Sequence, residues 1–424
     1  MTDILLENLA VIQKRWPEIR RRIEQSSLQS LTVTVEQNTL LINDIQLTSN
    51  YNRAAEAEIQ AQRIPINSPQ AFVYGVGLGD VPDNLLKREA LQSLVICILN
   101  LDLFLHTLNA IDHTSWLLDP RTQLMTSDQL TDVQQPFLAL PTELIFCDDQ
   151  SAILRDRIML ELDHDFIMSH HHENNKLAVS EVAANQSLLT LDSSVKSLFN
   201  TLHGRVYIAA AGPTLSKHYD KLRKIRQDDE NSIIIALDAC VKALLSENIS
   251  PDYIVSIDAR SAQIFDGVDI KKYLTGIPLI YFPRLDHVFL SQWPGKRFCS
   301  YSDSELYHEY KKHYPGASLF TGGSVIHPAV DLAVKMGASE VVLLGADFGF
   351  PDNKTYVSGQ DYDYTQQFLS SSHWVINGKG EKITTMLNYR GYLRDLERYI
   401  ETKPHINFLN GSDEGAKIAG TTLL

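Results

Sequence analysis

The chain has 424 residues, 44% hydrophobic and 21% charged, the proportions of an ordinary globular protein with a sizeable core. Lys and Arg number 38 against 52 Asp and Glu, a formal net charge of −14. That excess of acid argues against a nucleic-acid partner or an anionic membrane surface, while leaving room for a local basic pocket.

No apolar run approaches the ~20 residues that span a bilayer. The opening MTDILLENLAVIQKRW carries acids within its apolar stretch and lacks a secretory h-region, so a cytoplasmic location is expected. The cysteines, Cys97, Cys147, Cys240 and Cys299, form no C-x-x-C pair, and three of them lie in apolar runs. They read as buried thiols of a reducing compartment.

The first ~25 residues place apolar side chains three and four apart, a helical period. LTVTVEQNTLLIN (31–43) alternates about a polar Glu-Gln-Asn turn and predicts a hairpin. Residues 1–70 are therefore read as a helical and hairpin segment. From Ala71 short apolar runs alternate with helical stretches. AFVYGVGLGD, LVICILNLD and ELIFCDD are expected strands, with DLFLHTLNAID a helix between them. That alternation is a βαβ layout and makes 71–150 a Rossmann-like domain. Residues 151–203 are polar and helical, a linker. They include His170, His171 and His172, whose consecutive side chains leave a helix in different directions and cannot all reach one metal.

From Arg205 the alternation restarts. RVYIAAAG, SIIIALDA, YIVSIDA, PLIYFPR, RFCSYSD and EVVLLGAD are expected strands, and 204–424 is read as a second Rossmann-like domain with a helical end. Strands so continuously apolar belong to a parallel sheet covered on both faces. The predicted fold class is thus α/β, with two parallel-sheet domains. Such sheets bind ligands beyond the carboxyl ends of their strands, near a topological switch point.

The strand ends carry the candidate site. Gly212 permits a tight turn, Pro213 suits the first position of a helix, and Thr214 adds a hydroxyl beside its free N–H groups. The turn is either an anion site or a plain helix start. Asp238 and Asp258 end the next two strands, where a carboxylate meets a ribose hydroxyl in nucleotide folds or simply caps a helix. The stretch TGGSVIHPAVDLAVKMGASEVVLLGADFG (321–349) predicts a helix starting at Gly322, Gly323 and Ser324, their N–H groups facing a phosphate. Val325, Ala329, Leu332, Ala333 and Met336 form its sheet-packing stripe, and the next strand delivers Asp347.

These motifs, with Asn-Gly-Ser…Gly-Ala-Lys-Ile near the end, resemble the motility-associated-factor (Maf) flagellin glycosyltransferases. The T-G-G-S-V and V-V-L-L-G-A-D pair is also similar to bacterial CMP-sialic-acid-dependent sialyltransferases. The resemblance implies transfer of a nonulosonic acid, of pseudaminic or legionaminic type, from its CMP donor to Ser or Thr of flagellin, for filament assembly and motility. It places Gly212, Pro213, Thr214, Asp238 and Asp258 by the donor, with Gly322, Gly323 and Ser324 near its phosphate. The sialyltransferase histidine has its nearest counterpart in His373, displaced along the chain, so Asp347, His327 and His373 are the candidates for base. A phosphate leaving group needs charge stabilisation that hydroxyls and N–H groups supply, so no metal or other cofactor is expected. Asp361 and Asp363 are read as a solvated loop, with Tyr389 and Arg390 as further phosphate contacts or packing residues.

Other readings stand beside this one. Gly75, Gly77 and Gly79, with Asp102 after the next strand, look like the start of an S-adenosylmethionine-dependent methyltransferase. The central domain also resembles pterin pyrophosphokinases, and a non-catalytic flagellin-binding protein is a further alternative.

Overall fold

The repeated strand–helix pattern folds into two separate parallel sheets, one in each of two units, Met1–Asp163 and His164–Leu424. The structure, a computed structural model, describes residues 2–130, 132–162, 176–228, 232–357 and 373–424. His170, His171, His172, Asp361 and Asp363 lie outside these residues.

In the first unit, helix Asp3–Arg15 is capped by Thr2, whose hydroxyl accepts the Leu5 N–H at 3.2 Å. Pro17 opens helix Pro17–Glu24, where its missing N–H costs nothing. Leu5, Leu9, Ile12, Ile19 and Ile23, at helical spacing, enter the same core as Val73 and Leu94. Residues 1–70 therefore share a hydrophobic core with the sheet formed by the next segment. The expected hairpin is there: β1 (Val33–Val35) pairs antiparallel with β2 (Leu40–Ile42), and β3 (Ile45–Gln46) adds to it. The parallel sheet comprises β4 (Gln70–Tyr74), β5 (Ser93–Ile98), β6 (Thr122–Thr126) and β7 (Phe137–Ala139), in the order β6-β5-β4-β7.

One strand expectation is corrected. Glu143 to Ile145, read as strand, belongs to helix Pro141–Ile145 with Pro141 at its first position. The actual edge strands were not foreseen: β6 (TQLMT) is only partly apolar, and β7 (FLA) is only three residues long. Helix Ala152–Leu162 falls in the first unit and Gln186–Leu189 in the second, so the stretch read as a linker divides between them.

The second unit holds β8 (Ser193–Ser194), β9 (Arg205–Ala209), β10 (Ile233–Leu237), β11 (Tyr253–Ser256), β12 (Leu279–Tyr281) and β13 (Arg297–Cys299). After these come β14 (Glu340–Leu344), the antiparallel pair β15 (His373–Ile376) and β16 (Lys382–Thr385), then β17 (Asn407–Asn410) and β18 (Thr422–Leu423). All but β15 and β16 form one parallel sheet, ordered β18-β17-β14-β9-β10-β11-β12-β13-β8. Its central strands β10 and β14 are buried beyond their first residues, as the apolar runs Ile234–Leu237 and Val341–Leu344 require. Helix Ile326–Met336 packs on β9, β10 and β14 and stops at Gly337, whose φ of 103° suits a glycine.

The topology fixes where a ligand can enter. From β9 the chain steps outward to β13, then returns to lay β14 on the other side of β9. The strand order reverses between β9 and β14, and the loops leaving these two strands bound the crevice. Among the described residues, no helix is long and apolar enough to cross a membrane.

Candidate functional site

At the switch point the two loops are held against each other by short bonds. Gly212 N–H donates to Gly345 O at 2.9 Å, and Ala210 N–H to Leu344 O at 2.8 Å. Gly345 takes a φ of 69°, which only a glycine adopts cheaply. Asp347 reaches across from the β14 loop. Its Oδ2 accepts the Thr214 N–H at 2.9 Å, and its Oδ1 accepts the Thr214 hydroxyl at 2.5 Å. This carboxyl is 3% exposed. Burial pushes its pKa up to about 6, although the two Thr214 bonds favour the charged form; nearby Glu414 raises it and Lys217 lowers it.

Asp238, at the end of β10, is also buried. Its Oδ1 accepts the Ala239 N–H and its Oδ2 the Ser256 hydroxyl, both at 2.7 Å. Asp258, after β11, is exposed and pairs with Arg284 at 2.7 Å.

The 321–325 stretch departs from the expected geometry. The helix begins at Ile326, so Gly322, Gly323 and Ser324 precede it as a loop. The Ser324 N–H donates to Nδ1 of His327 at 3.2 Å, and His327 Nε2 lies 2.9 Å from Tyr392 O. Nδ1 also lies 3.0 Å from Ser324 O, so both ring nitrogens sit beside carbonyls and the neutral ring donates to one of them. The ring is fully buried, which lowers its pKa and keeps it neutral. Both nitrogens are engaged within the chain, so His327 holds the loop to helix Leu387–Glu401. A side chain at Gly322 would lie 2.7 Å from Asp395 Cβ, so this glycine serves close packing. Gly323, at φ 85°, and Ser324 do face the cleft.

His327→Ala is accordingly expected to lose about 2–4 kcal/mol of stability, from the cavity and the two lost hydrogen bonds. Urea unfolding checks it. A variant of full stability with only a reduced turnover would restore His327 as a base. His373 opens β15, paired to Thr385, and is not part of the cleft wall.

The cleft itself measures about 380 Å³ and lies at the ends of β9, β10, β11 and β14. Of the residues expected from sequence, Gly212, Asp238, Asp258, Gly323, Ser324 and Asp347 line it; Pro213 and Thr214 stand just behind the β9 loop. The sequence reading named Tyr389 on its opposite wall but missed the others there, Thr355, Tyr356, Asn388 and Tyr392. Positions 388, 389 and 392 share one face of helix Leu387–Glu401, a spacing legible in the sequence. Tyr356 and Tyr389 hydroxyls lie 3.3 Å apart. Arg390, named with Tyr389 as a phosphate contact, instead donates from Nε to Trp374 O at 3.0 Å and is buried.

The glycine loop of the first unit is filled by the protein itself. Glu143 Oε1 accepts the N–H groups of Val76 and Gly77 at 2.8 and 2.7 Å. The carboxyl is buried, which raises its pKa. A Cβ at Gly75 would lie 2.8 Å from that of Glu143, and one at Gly79 equally close to His113 and Trp116. These glycines make room for side chains of this chain, which removes the basis for reading them as a methyltransferase cofactor loop.

Sheet, switch point and cleft define a doubly wound α/β protein of the kind that binds its ligand between two strand-end loops. Residues 180–353 match the model described as 6-hydroxymethylpterin diphosphokinase MptE-like, and residues 41–123 that of the glycosyltransferase Maf N-terminal domain. A 6-hydroxymethyl-7,8-dihydropterin pyrophosphokinase of Methanocaldococcus jannaschii is 43% identical over 211 residues, 46% of this chain and 78% of that protein. Its counterpart from Methanothermobacter thermautotrophicus is 28% identical over 151 residues, covering 34% of this chain and 56% of that one. A solved structure, the Maf glycosyltransferase of Magnetospirillum magneticum AMB-1, aligns over all of this chain and 74% of its own at 16% identity, with a TM-score of 0.44. Over its second unit the chain belongs to the 6-hydroxymethylpterin diphosphokinase MptE-like family, and residues 41–123 of its first unit are similar to the glycosyltransferase Maf N-terminal domain.

Proposed function

We propose that the chain transfers a nonulosonic acid, of pseudaminic or legionaminic type, from its CMP-activated form to Ser or Thr hydroxyls of flagellin in the cytoplasm. The observation that carries this reading is Asp347: a carboxyl in the switch-point cleft, fixed by Thr214 and poised near pH 6. A base that takes a proton from an acceptor hydroxyl near neutral pH has that property. In the step proposed, the acceptor oxygen bonds to the anomeric carbon as the bond from that carbon to the phosphate oxygen breaks. The proton passes to Asp347, and CMP leaves. Asp238, fixed by Ser256, suits a ribose hydroxyl. Hydroxyls and loop N–H groups, with no metal ion, balance the leaving phosphate, so transfer is expected to survive EDTA.

Intact mass of flagellin co-expressed with this protein and a nonulosonate pathway tests the proposal. A mass increase that Asp347→Asn abolishes supports it; unmodified flagellin with the wild-type protein sinks it. A second reading, diphosphate transfer from ATP to a pterin hydroxymethyl group, is favoured by the 43% identical relative. Calorimetry decides between them: tight CMP binding with weak ATP binding favours glycosyl transfer, and the reverse favours the kinase.

A further inference from the structure

Behind the β9 loop lies a second cavity of about 310 Å³, whose walls include Thr214, Lys217, Lys354, Tyr356 and Glu414. It adjoins the cleft directly. Tyr356 lines both spaces, and Thr214, on the wall of the second, makes both bonds to Asp347, on the wall of the first. The charges of Lys217 and Glu414 are close enough to act on the Asp347 carboxyl.

The two spaces differ in sign. The charged side chains of the cleft lining are Asp238, Asp258 and Asp347. Across Tyr356 the charged groups are mixed. Lys217 is paired with Glu414, which also takes Lys379 at 3.3 Å, so two lysines share that carboxylate. Lys354 faces the same cavity and has no charged partner among the described residues. Asp352, the other acid of the wall, is exposed, as is Lys354. A donor whose first phosphate lies over Gly212 would find no basic side chain in the cleft lining for its next negative group. Arg284, beside the cleft, is held by Asp258 at 2.7 Å, and Lys217 and Lys354 lie on the far side of Tyr356.

We propose that this second cavity is an anion subsite, taking the negative group that an activated donor carries beyond its first phosphate. The inference rests on the reading of the cleft as the place of that first phosphate. Two sources share the chemistry: the carboxylate of a CMP-linked acidic sugar, and the β-phosphate of a nucleoside diphosphate or triphosphate. Lysine serves either as a point charge.

Calorimetry on the full chain tests it with CMP, CMP-N-acetylneuraminate and CDP, and with AMP and ADP, on wild type, Lys354→Met and Lys217→Met. At least one extended ligand is expected to bind tenfold or more tighter than its monophosphate. That gain should fall at least threefold in Lys354→Met while the monophosphate affinity stays within twofold. A gain confined to the sugar nucleotide identifies a sugar carboxylate, and one confined to the diphosphates identifies a phosphate chain. No gain for any extended ligand overturns the subsite, as does a gain that both lysine variants retain in full. If neither monophosphate binds wild type, the cleft reading itself fails and the subsite with it. Melting temperatures of the two variants, expected within a few degrees of wild type, show that lost affinity is not lost fold.

Discussion

Asp347→Asn is expected to abolish transfer and yet leave the protein more stable than wild type above pH 6. The folded carboxyl titrates at about 6, against an ordinary 3.8. Between those values the folded chain keeps a proton that the unfolded chain has released. Wild-type stability from this group therefore falls as pH rises from about 4 through about 6, and the whole cost is present above that. A rise of this size from 3.8 to about 6 is worth about 3 kcal/mol. Asparagine escapes the cost because it carries no charge to bury. It also keeps both links to Thr214: its carbonyl, in the place of Oδ2, accepts the amide, and its NH2, in the place of Oδ1, donates to the hydroxyl. The variant's advantage should approach 3 kcal/mol at pH 8 and shrink towards zero near pH 4. Urea unfolding of both proteins at pH 4.5 and pH 8 reads it directly. An advantage equal at the two pH values would mean that Asp347 titrates normally. Wild-type transfer should rise with pH through about 6, as the carboxyl becomes able to accept a proton.

The parts of this site that were legible in the sequence are those that local pattern controls. Apolar runs ending in Gly212, Asp238, Asp258 and Asp347 put those residues at strand ends, and the parallel sheet delivers them to one edge. The illegible parts depend on register and on distant packing. The Thr321–Ser324 stretch has the composition of an anion-binding helix start. The helix nevertheless begins at Ile326, because His327 folds back onto the Ser324 backbone while its other nitrogen reaches Tyr392. Nothing within the stretch announces a partner 65 residues away. Glu143 poses the same difficulty: its pairing with the Val76 and Gly77 amides, 67 and 66 residues apart in sequence, turns an apparent cofactor loop into a packed one. The tyrosine wall lay within reach, since Asn388, Tyr389 and Tyr392 recur at helical spacing. Strand ends point only to the loops that leave them, and helix Leu387–Glu401 covers the cleft from outside the sheet.

Gly212→Ala is expected to be the most damaging small substitution at the switch point. The position has no need of glycine for its backbone angles, since φ is −66°. Its need is for space. A Cβ there would run into Asp347 Oδ2 and into the carbonyl oxygen of Gly345. Neither neighbour can step aside cheaply. Gly345 O accepts the Gly212 N–H at 2.9 Å, and Asp347 is pinned by two bonds to Thr214. Relief requires parting the β9 and β14 loops, which breaks those bonds and reshapes the floor of the cleft. Overpacking of this kind costs about 1–3 kcal/mol. The loss of CMP binding should exceed what that destabilisation explains, because the displaced groups are themselves cleft lining. Gly323→Val provides the comparison: it combines a strained φ of 85° with a Cβ 2.7 Å from the Tyr392 ring, and so disturbs the opposite wall. Melting temperature and CMP affinity, measured on one preparation of each variant, separate the two effects. Gly212→Ala protein that is folded at the assay temperature and binds CMP at full strength would remove the switch point from the binding site, and with it the role assigned to Asp347.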